Sequence, residues 1–149
     1  MTQSGGRRIK RALNIRMSSV RHLNETDINK LLNIDLIKDY IIQKSDDITA
    51  YNTENDFDKT LLINGRNLTN IGVFRKYIES YIENHSAINK DLMIMARQLE
   101  PTEKGLPIEI YAFSSDKRWQ NYEYIIADIF DHVIAAASTF DLKIYEHNF

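Results

Sequence analysis

The sequence predicts an α+β fold, a ferredoxin-like sandwich whose antiparallel sheet has helices on one face and an extra helix and loop insertion. Three observations predict it. A strand hairpin lies in the C-terminal half, amphipathic helices precede and follow it, and a short segment of strand character stands near each end of the chain. At 149 residues, with 43% hydrophobic and 27% charged side chains, the chain suits one compact core.

The first predicted elements are a strand and a long helix. Apolar residues recur among arginines and small polar residues from Ile9 to Val20, which predicts an extended segment with one buried face. Asn24 or Thr26 can cap the helix that follows, and its apolar pattern continues to about Ile48. This pattern is wider than one stripe, so the helix is either sandwiched inside the chain or turned partly toward a neighbouring subunit. The wide band includes Ile34, Ile37 and Ile41.

A polar stretch and a second helix come next. Residues Thr49 to Lys59 are rich in Asn, Asp, Thr and Glu, which predicts a loop. Thr69 or Asn70 can cap the second helix, which we expect to end near His85. Its predicted buried face consists of Ile71, Phe74, Ile78 and Ile82.

The hairpin is the clearest pattern in the chain. Leu92 to Leu99 and Leu106 to Phe113 read as strands, joined by a turn that contains Pro101 and Gly105. Alternation in the second strand predicts one core face and one face that carries Tyr111 and Phe113. The predicted core face consists of Leu106, Ile108, Ile110 and Ala112.

A third helix and a last strand complete the prediction. Ser115 or Asp116 can open the helix, and residues Leu142 to Tyr145 read as a short strand. Apolar residues at steps of three and four predict a core-packing helix. This stripe consists of Trp119, Tyr122, Ile126, Ile129, Val133 and Ala137.

Composition and charge exclude several classes of protein. The chain has no cysteine, so it has no disulfide framework and no thiolate site, and its apolar runs are too short to span a bilayer. The net charge is −2, but six cationic side chains precede the first acid, Glu25. Such a segment can attract nucleic acid, anionic lipid or an acidic protein surface, or can simply be the solvated side of a strand.

Signals for catalysis and for metal binding are weak. Asp128 and His132 stand four residues apart on the third helix, a spacing that can hold a metal, but two ligands are too few. We therefore expect His132 to be an exposed partner of Asp128. No nucleophile and base are spaced as a catalytic pair, and no glycine-rich phosphate loop is present. We expect no cofactor, no metal site and no enzymatic activity.

Tyr111 and Phe113 are predicted to share a sheet with a basic strand, an arrangement that also suits RNA binding. The glycine-flanked aromatic motif of RNA-recognition domains is missing from the sequence. Aromatic side chains on a sheet more often serve packing or protein contacts. We therefore expect no nucleic-acid partner.

Three segments together resemble the miniconductance branch of the small-conductance mechanosensitive channels. They are Gly5-Gly6-Arg7-Arg8-Ile9-Lys10-Arg11, Asn64-Gly65-Arg66-Asn67-Leu68-Thr69-Asn70-Ile71-Gly72, and Arg97-Gln98-Leu99 through Gly105-Leu106-Pro107-Ile108-Glu109-Ile110-Tyr111. The likeness continues through Trp119, Tyr122-Glu123 and residues 127–132, so it covers essentially the whole chain. Each motif alone is weak, and their combination is specific.

This resemblance implies the cytoplasmic C-terminal domain of a bacterial inner-membrane channel, a homo-heptamer that releases ions and small osmolytes on hypo-osmotic shock. Residues 1–20 are then the junction and first strand, which follow a membrane-proximal β-domain. This chain lacks that β-domain and the membrane helices. Residues 21–149 form the cytoplasmic α+β domain. Arg7, Arg8, Lys10 and Arg11 are expected to lie near the membrane and to face anionic head groups or permeating anions.

A heptameric ring requires one patch of each subunit to meet a different patch of the next. The residues expected at this contact are Ile34, Ile37, Ile41, Tyr111 and Phe113. The alternative function is a free-standing, ferredoxin-like domain that binds a small regulatory molecule.

Overall fold

The computed structural model describes residues 5–147 and has a three-stranded antiparallel sheet and four α-helices in that range. It confirms the α+β class. Residues 1–4 of the predicted junction lie outside the described residues. The elements, in chain order, are β1 Arg7–Ile15, α1 Glu25–Leu31, α2 Lys38–Glu54, α3 Asn70–Glu83, β2 Met95–Gln98, β3 Leu106–Ser114 and α4 Trp119–Ala136.

The sheet has the order β1-β3-β2, with β3 in the centre. β1 pairs with β3 over its whole length, from Arg7 opposite Ser114 to Ile15 opposite Leu106. The predicted hairpin of β2 and β3 is confirmed, although β2 is shorter than expected. Its turn requires Gly105, which has φ of +97° and whose missing Cβ would lie 2.4 Å from the Ile15 carbonyl oxygen.

The core lies between the sheet and the two helices α3 and α4. Thr69 caps α3 as predicted, because its side chain accepts a hydrogen bond from the Gly72 N–H at 3.1 Å. The apolar stripes of both helices meet the predicted face of β3 and the odd-numbered face of β1. Burying each large aliphatic or aromatic side chain contributes about 1.5–3 kcal/mol. The fully buried members include Ile9, Ile15, Phe74, Ile78, Ile108, Ile110, Ile129 and Val133.

The predicted first helix is broken in two, which is a correction. Asn24 and Asp27 form a capping box at the start of α1, and the helix ends at Leu31. A 3₁₀ turn at Asp35–Ile37 then precedes α2. In one unbroken helix the side chains of Leu31 and Ile37 would point about 120° apart. The break resets the helical phase, and both side chains are buried.

The polar stretch predicted as a loop is helical over its first half. α2 continues to Glu54, six residues beyond the expected end at Ile48. Residues 49–54 are polar because most of them lie on the exposed side of this helix. Asn52 is the exception, since it is buried and binds the following segment.

Both ends of the chain depart from the predicted strands. β1 ends at Ile15, and a 3₁₀ turn at Met17–Ser19 leaves Met17 exposed. The predicted last strand reduces to one bridge between Ile15 and Ile144, flanked by a hydrogen bond from the Tyr145 N–H to the Asn14 carbonyl oxygen at 2.8 Å.

The start of α4 also differs from the prediction. Neither Ser115 nor Asp116 caps it, because the helix begins after Arg118, whose side chain makes no capping bond. Asp116 instead accepts hydrogen bonds from the Arg118 backbone and guanidinium, which lower the pKa of its carboxyl. Trp119 was expected on the core stripe but is 66% exposed.

Candidate interaction surface

The sheet has a second face, opposite α3 and α4, which we call the open sheet face. Pairing places Lys10 opposite Tyr111 on this face and Met95 on the other side of Tyr111. The main hydrophobic cluster includes residues of the helix-side face but not Phe113, although Phe113 is buried. The open sheet face consists of Arg8, Lys10, Ala12, Asn14, Met95, Arg97, Pro107, Glu109, Tyr111 and Phe113.

Two aromatic rings occupy the centre of the open sheet face. Tyr111 and Phe113 pack edge to face, with ring centroids 5.6 Å apart and ring planes at 87°. Tyr111 is half-buried, whereas Phe113 is only 5% exposed. The tyrosine is therefore the ring that another molecule can reach.

The charges around these rings are mostly positive. Arg97 Nε donates to Glu109 Oε1 at 2.8 Å across the hairpin, so the nearly buried Glu109 carboxylate is paired. Arg8 and Lys10 are exposed, and their side chains have no ion-pair partner within residues 5–147. A reachable aromatic ring thus stands beside two cations that the chain itself does not neutralise.

The four predicted membrane-proximal cations do not act as one group. The Arg7 guanidinium carbon lies 4.4 Å above the ring of Tyr122 on α4, and the Tyr122 hydroxyl donates to the Arg8 carbonyl oxygen. Arg7 therefore joins β1 to α4. Arg11 pairs with Ile110 on the helix side of the sheet and is exposed. Only Arg8 and Lys10 belong to the open sheet face.

Three of the five predicted contact residues are inside the chain. Ile37 and Ile41 have exposures of 0% and 1%, because the 3₁₀ turn and α2 press them against the shared core. Phe113 is covered on the open sheet face. These three have almost no surface to offer a second copy, which corrects their predicted place in a contact. Ile34 and Tyr111 are half-buried, so their role at a contact stays a prediction.

An acidic segment lies far along the chain from the basic strand. Residues 45–58, which include the second half of α2, carry five acids and no Lys or Arg. Asp46, Asp47 and Glu54 are exposed on α2. The charge asymmetry predicted from the sequence therefore becomes two separate surfaces, one basic and one acidic.

The expected pair of Asp128 with His132 does not form. Asp128 instead lies 2.8 Å from His85 Nε2, and His132 Nε2 lies 2.6 Å from the Tyr77 hydroxyl. The ring of His132 stacks on Tyr81, with centroids 3.9 Å apart. Burial raises the pKa of both tyrosines, and the Asp128 carboxylate adds to this for Tyr81. These contacts join α3 to α4.

Sequence reasoning missed the Arg97–Glu109 and Arg7–Tyr122 contacts. The first could have been found from the hairpin register, which places Arg97 opposite Glu109. The second joins distant parts of the chain, and no spacing in the sequence encodes it. Among residues 5–147 no group of three potential metal ligands comes together.

A search of the sequence against models of known protein families gives no match. Within the described part of the chain, no helix combines the length and hydrophobicity that crossing a lipid bilayer requires.

Proposed function

We propose that this chain is the vestibule and assembly domain, on the cytoplasmic side of the inner membrane, of a bacterial mechanosensitive channel that releases ions and small osmolytes on hypo-osmotic shock. The resemblance of its motifs to the miniconductance branch supports this proposal. The observation that carries it is the open sheet face, where Tyr111 stands beside the unpaired cations Arg8 and Lys10. Such a surface is suited to protein contacts rather than to chemistry.

The proposed contact joins two different patches of neighbouring copies. A closed ring needs such a heterologous contact, and the charges of this chain are complementary in that sense. The basic open sheet face of one copy meets the acidic segment 45–58 of the next, with Tyr111 at the centre and Ile34 at the edge. Complementary potentials fix the orientation of such a contact more than they raise its affinity.

The ferredoxin-like arrangement belongs to the same proposal. A sheet with helices on one face leaves the exposed residues of its other face, such as Arg8, Lys10 and Met95, for contact with a neighbouring copy. The proposed domain holds no cofactor and does not conduct ions by itself, because the pore and the tension sensor belong to membrane helices in this channel family. Its partners are copies of itself, seven in the channels that it resembles.

The gene provides the test of this proposal against the alternative of a free-standing regulatory domain. We expect a reading frame that continues upstream of Met1 and encodes several hydrophobic segments. A ribosome-binding site directly before the Met1 codon would contradict the channel function and favour the alternative.

A second experiment addresses nucleic acid, the other partner that a basic sheet face could bind. We expect no binding of single-stranded RNA at low salt. Affinity that falls steeply as salt rises would instead indicate phosphate contacts and would contradict the proposal.

A further inference from the structure

A cleft of about 750 Å³ lies between α1, α2 and the segment 55–68, away from the open sheet face. Residues of α2 at steps of three and four, such as Ile42, Asp46 and Thr49, form one wall. Apolar side chains from the other walls, including Ile28 and Leu62, line its interior. This volume is within the range of pockets that bind small molecules.

The wall opposite α1 is held in place by hydrogen bonds. Asn52 donates from Nδ2 to the Arg66 carbonyl oxygen at 2.9 Å and accepts from the Arg66 N–H at 2.8 Å. Gly65, with φ of +71°, lies so close that a Cβ would be 2.3 Å from Asn52 Oδ1. The Lys59 ammonium donates to the carbonyl oxygens of Leu62 and Asn64. The cleft therefore exists without a ligand to form it.

The charged side chains that border the cleft differ in whether they have partners within the chain. Of its two cations, Lys59 is bound by its own loop, whereas the exposed Arg66 guanidinium lies 5.4 Å from the Tyr51 ring centroid and makes no ion pair within residues 5–147. Its three carboxylates are Glu25, Asp46 and Asp56, all exposed, and none has a hydrogen-bond or ion-pair partner within residues 5–147. The cleft thus combines an apolar interior with an edge on which carboxylates outnumber cations by three to two.

We infer that this cleft binds a small organic cation, an amine carried on an apolar body. The apolar part lies against Ile28, Ile42 and Leu62, and the ammonium lies at the edge of the cleft beside Asp46. An anion of the same shape is repelled by that edge. This inference does not depend on the proposed channel function. It is tested on the chain without membrane helices, because Asp46 and Asp56 also lie in the acidic segment proposed to meet a neighbouring copy.

Hexylamine, hexanol and hexanoate are matched probes, because they share an apolar chain and differ in charge. Titration of each into the ¹⁵N-labelled chain, followed by amide chemical shifts, measures affinity and location together. We expect saturable shifts for hexylamine at residues 42–53 and 56–68, at least about fivefold weaker binding of hexanol, and weaker binding still for hexanoate. Equal affinity for the three probes, or hexylamine shifts centred on the sheet, would overturn the inference.

Two pairs of variants make the test specific. Asp46→Asn removes a charge at the cleft, whereas Asp47→Asn removes the neighbouring charge outside it. Thr49→Phe fills the cleft, whereas Ala50→Phe adds the same ring to the exposed side of α2. We expect the first member of each pair to weaken hexylamine binding at least about fivefold and the second to leave it unchanged.

All four positions are exposed, so the variants should fold, and thermal unfolding checks this. Equal effects within both pairs would reject the cleft as the binding site.

Discussion

Two halves of this molecule are stabilised in different ways. The sheet with α3 and α4 buries large apolar side chains completely, as Phe74 and Ile129 illustrate. In the other half, made of α1, α2 and residues 55–68, the 17-residue α2 buries only Ile41 and Asn52. Side-chain bonds to the backbone hold that half together. The candidate cleft therefore lies in the half where local opening should require least energy.

The largest expected effect is loss of core packing in the sheet half. Ile129→Ala leaves a cavity at a site with 0% exposure, so we expect unfolding free energy to fall by about 3–4 kcal/mol. Ile134→Ala, on the same helix but 47% exposed, should cost less than about 1 kcal/mol. Urea titration measures both. Similar losses for the two variants would show that α4 is not packed as described.

A smaller and local effect is expected in the other half. Asn52→Ala removes both side-chain bonds to the Arg66 backbone, at a cost of about 1–3 kcal/mol. Amide hydrogen exchange should therefore accelerate in residues 55–68 and change little in β3. Asn55→Ala is the control, because its exposed side chain bonds only to the Tyr51 carbonyl oxygen. Equal acceleration in β3 would contradict the division into two halves.

The smallest effect concerns a charged link between the halves. The Arg21 guanidinium donates to Asp27 of α1 at 2.6 Å and to Asp141, after α4, at 2.6 Å. The bond to Arg21 lowers the pKa of Asp27 below its usual value. A lowered carboxyl pKa stabilises the fold above the unfolded pKa of about 3.9, and this contribution is lost as pH falls through the folded value.

Asp27→Asn should therefore lower the free energy of unfolding by about 1 kcal/mol at pH 7 and by less at acid pH, because it weakens the helix cap and the ion pair with Arg21. Urea titrations of both proteins between pH 7 and about pH 2 measure this difference. A gap that stays constant over that range would exclude the ion pair as its source.

Sequence patterns predicted the sheet half well because one periodicity governs each of its elements. The α3 stripe follows one buried face, and the structure confirms it. The predicted core face of β3 is buried as well, but Pro107, Glu109 and Phe113 on its other face are also buried, so β3 does not alternate in burial. The break after Leu31 was not predictable from the sequence. It allows both Leu31 and Ile37 to face the core, and the position of the core is known only from the structure. Phe113 is 5% exposed although it lies on the face opposite the core, and alternation alone does not predict that.

The candidate surface was predictable only in part. Tyr111 follows from strand alternation, and the excess of cations in the opening segment is plain in the sequence. The β1–β3 register decides which cations share a face with Tyr111, and that register is known only from the structure. Helical spacing predicts a pair of His132 with Asp128, but the aromatic side chains Tyr77 and Tyr81 of α3 provide the contacts of His132.

We propose that the open sheet face joins copies of this chain. Native mass spectrometry of the full-length gene product in detergent tests this most directly. Tyr111→Asp places a charge at the centre of that face, and Lys10→Glu reverses an exposed charge beside it. Tyr124→Asp, at a 63% exposed tyrosine of α4, is the control. We expect a ring-sized mass for the wild type and for Tyr124→Asp, and smaller species for Tyr111→Asp and Lys10→Glu. Ring-sized mass in both Tyr111→Asp and Lys10→Glu would contradict it.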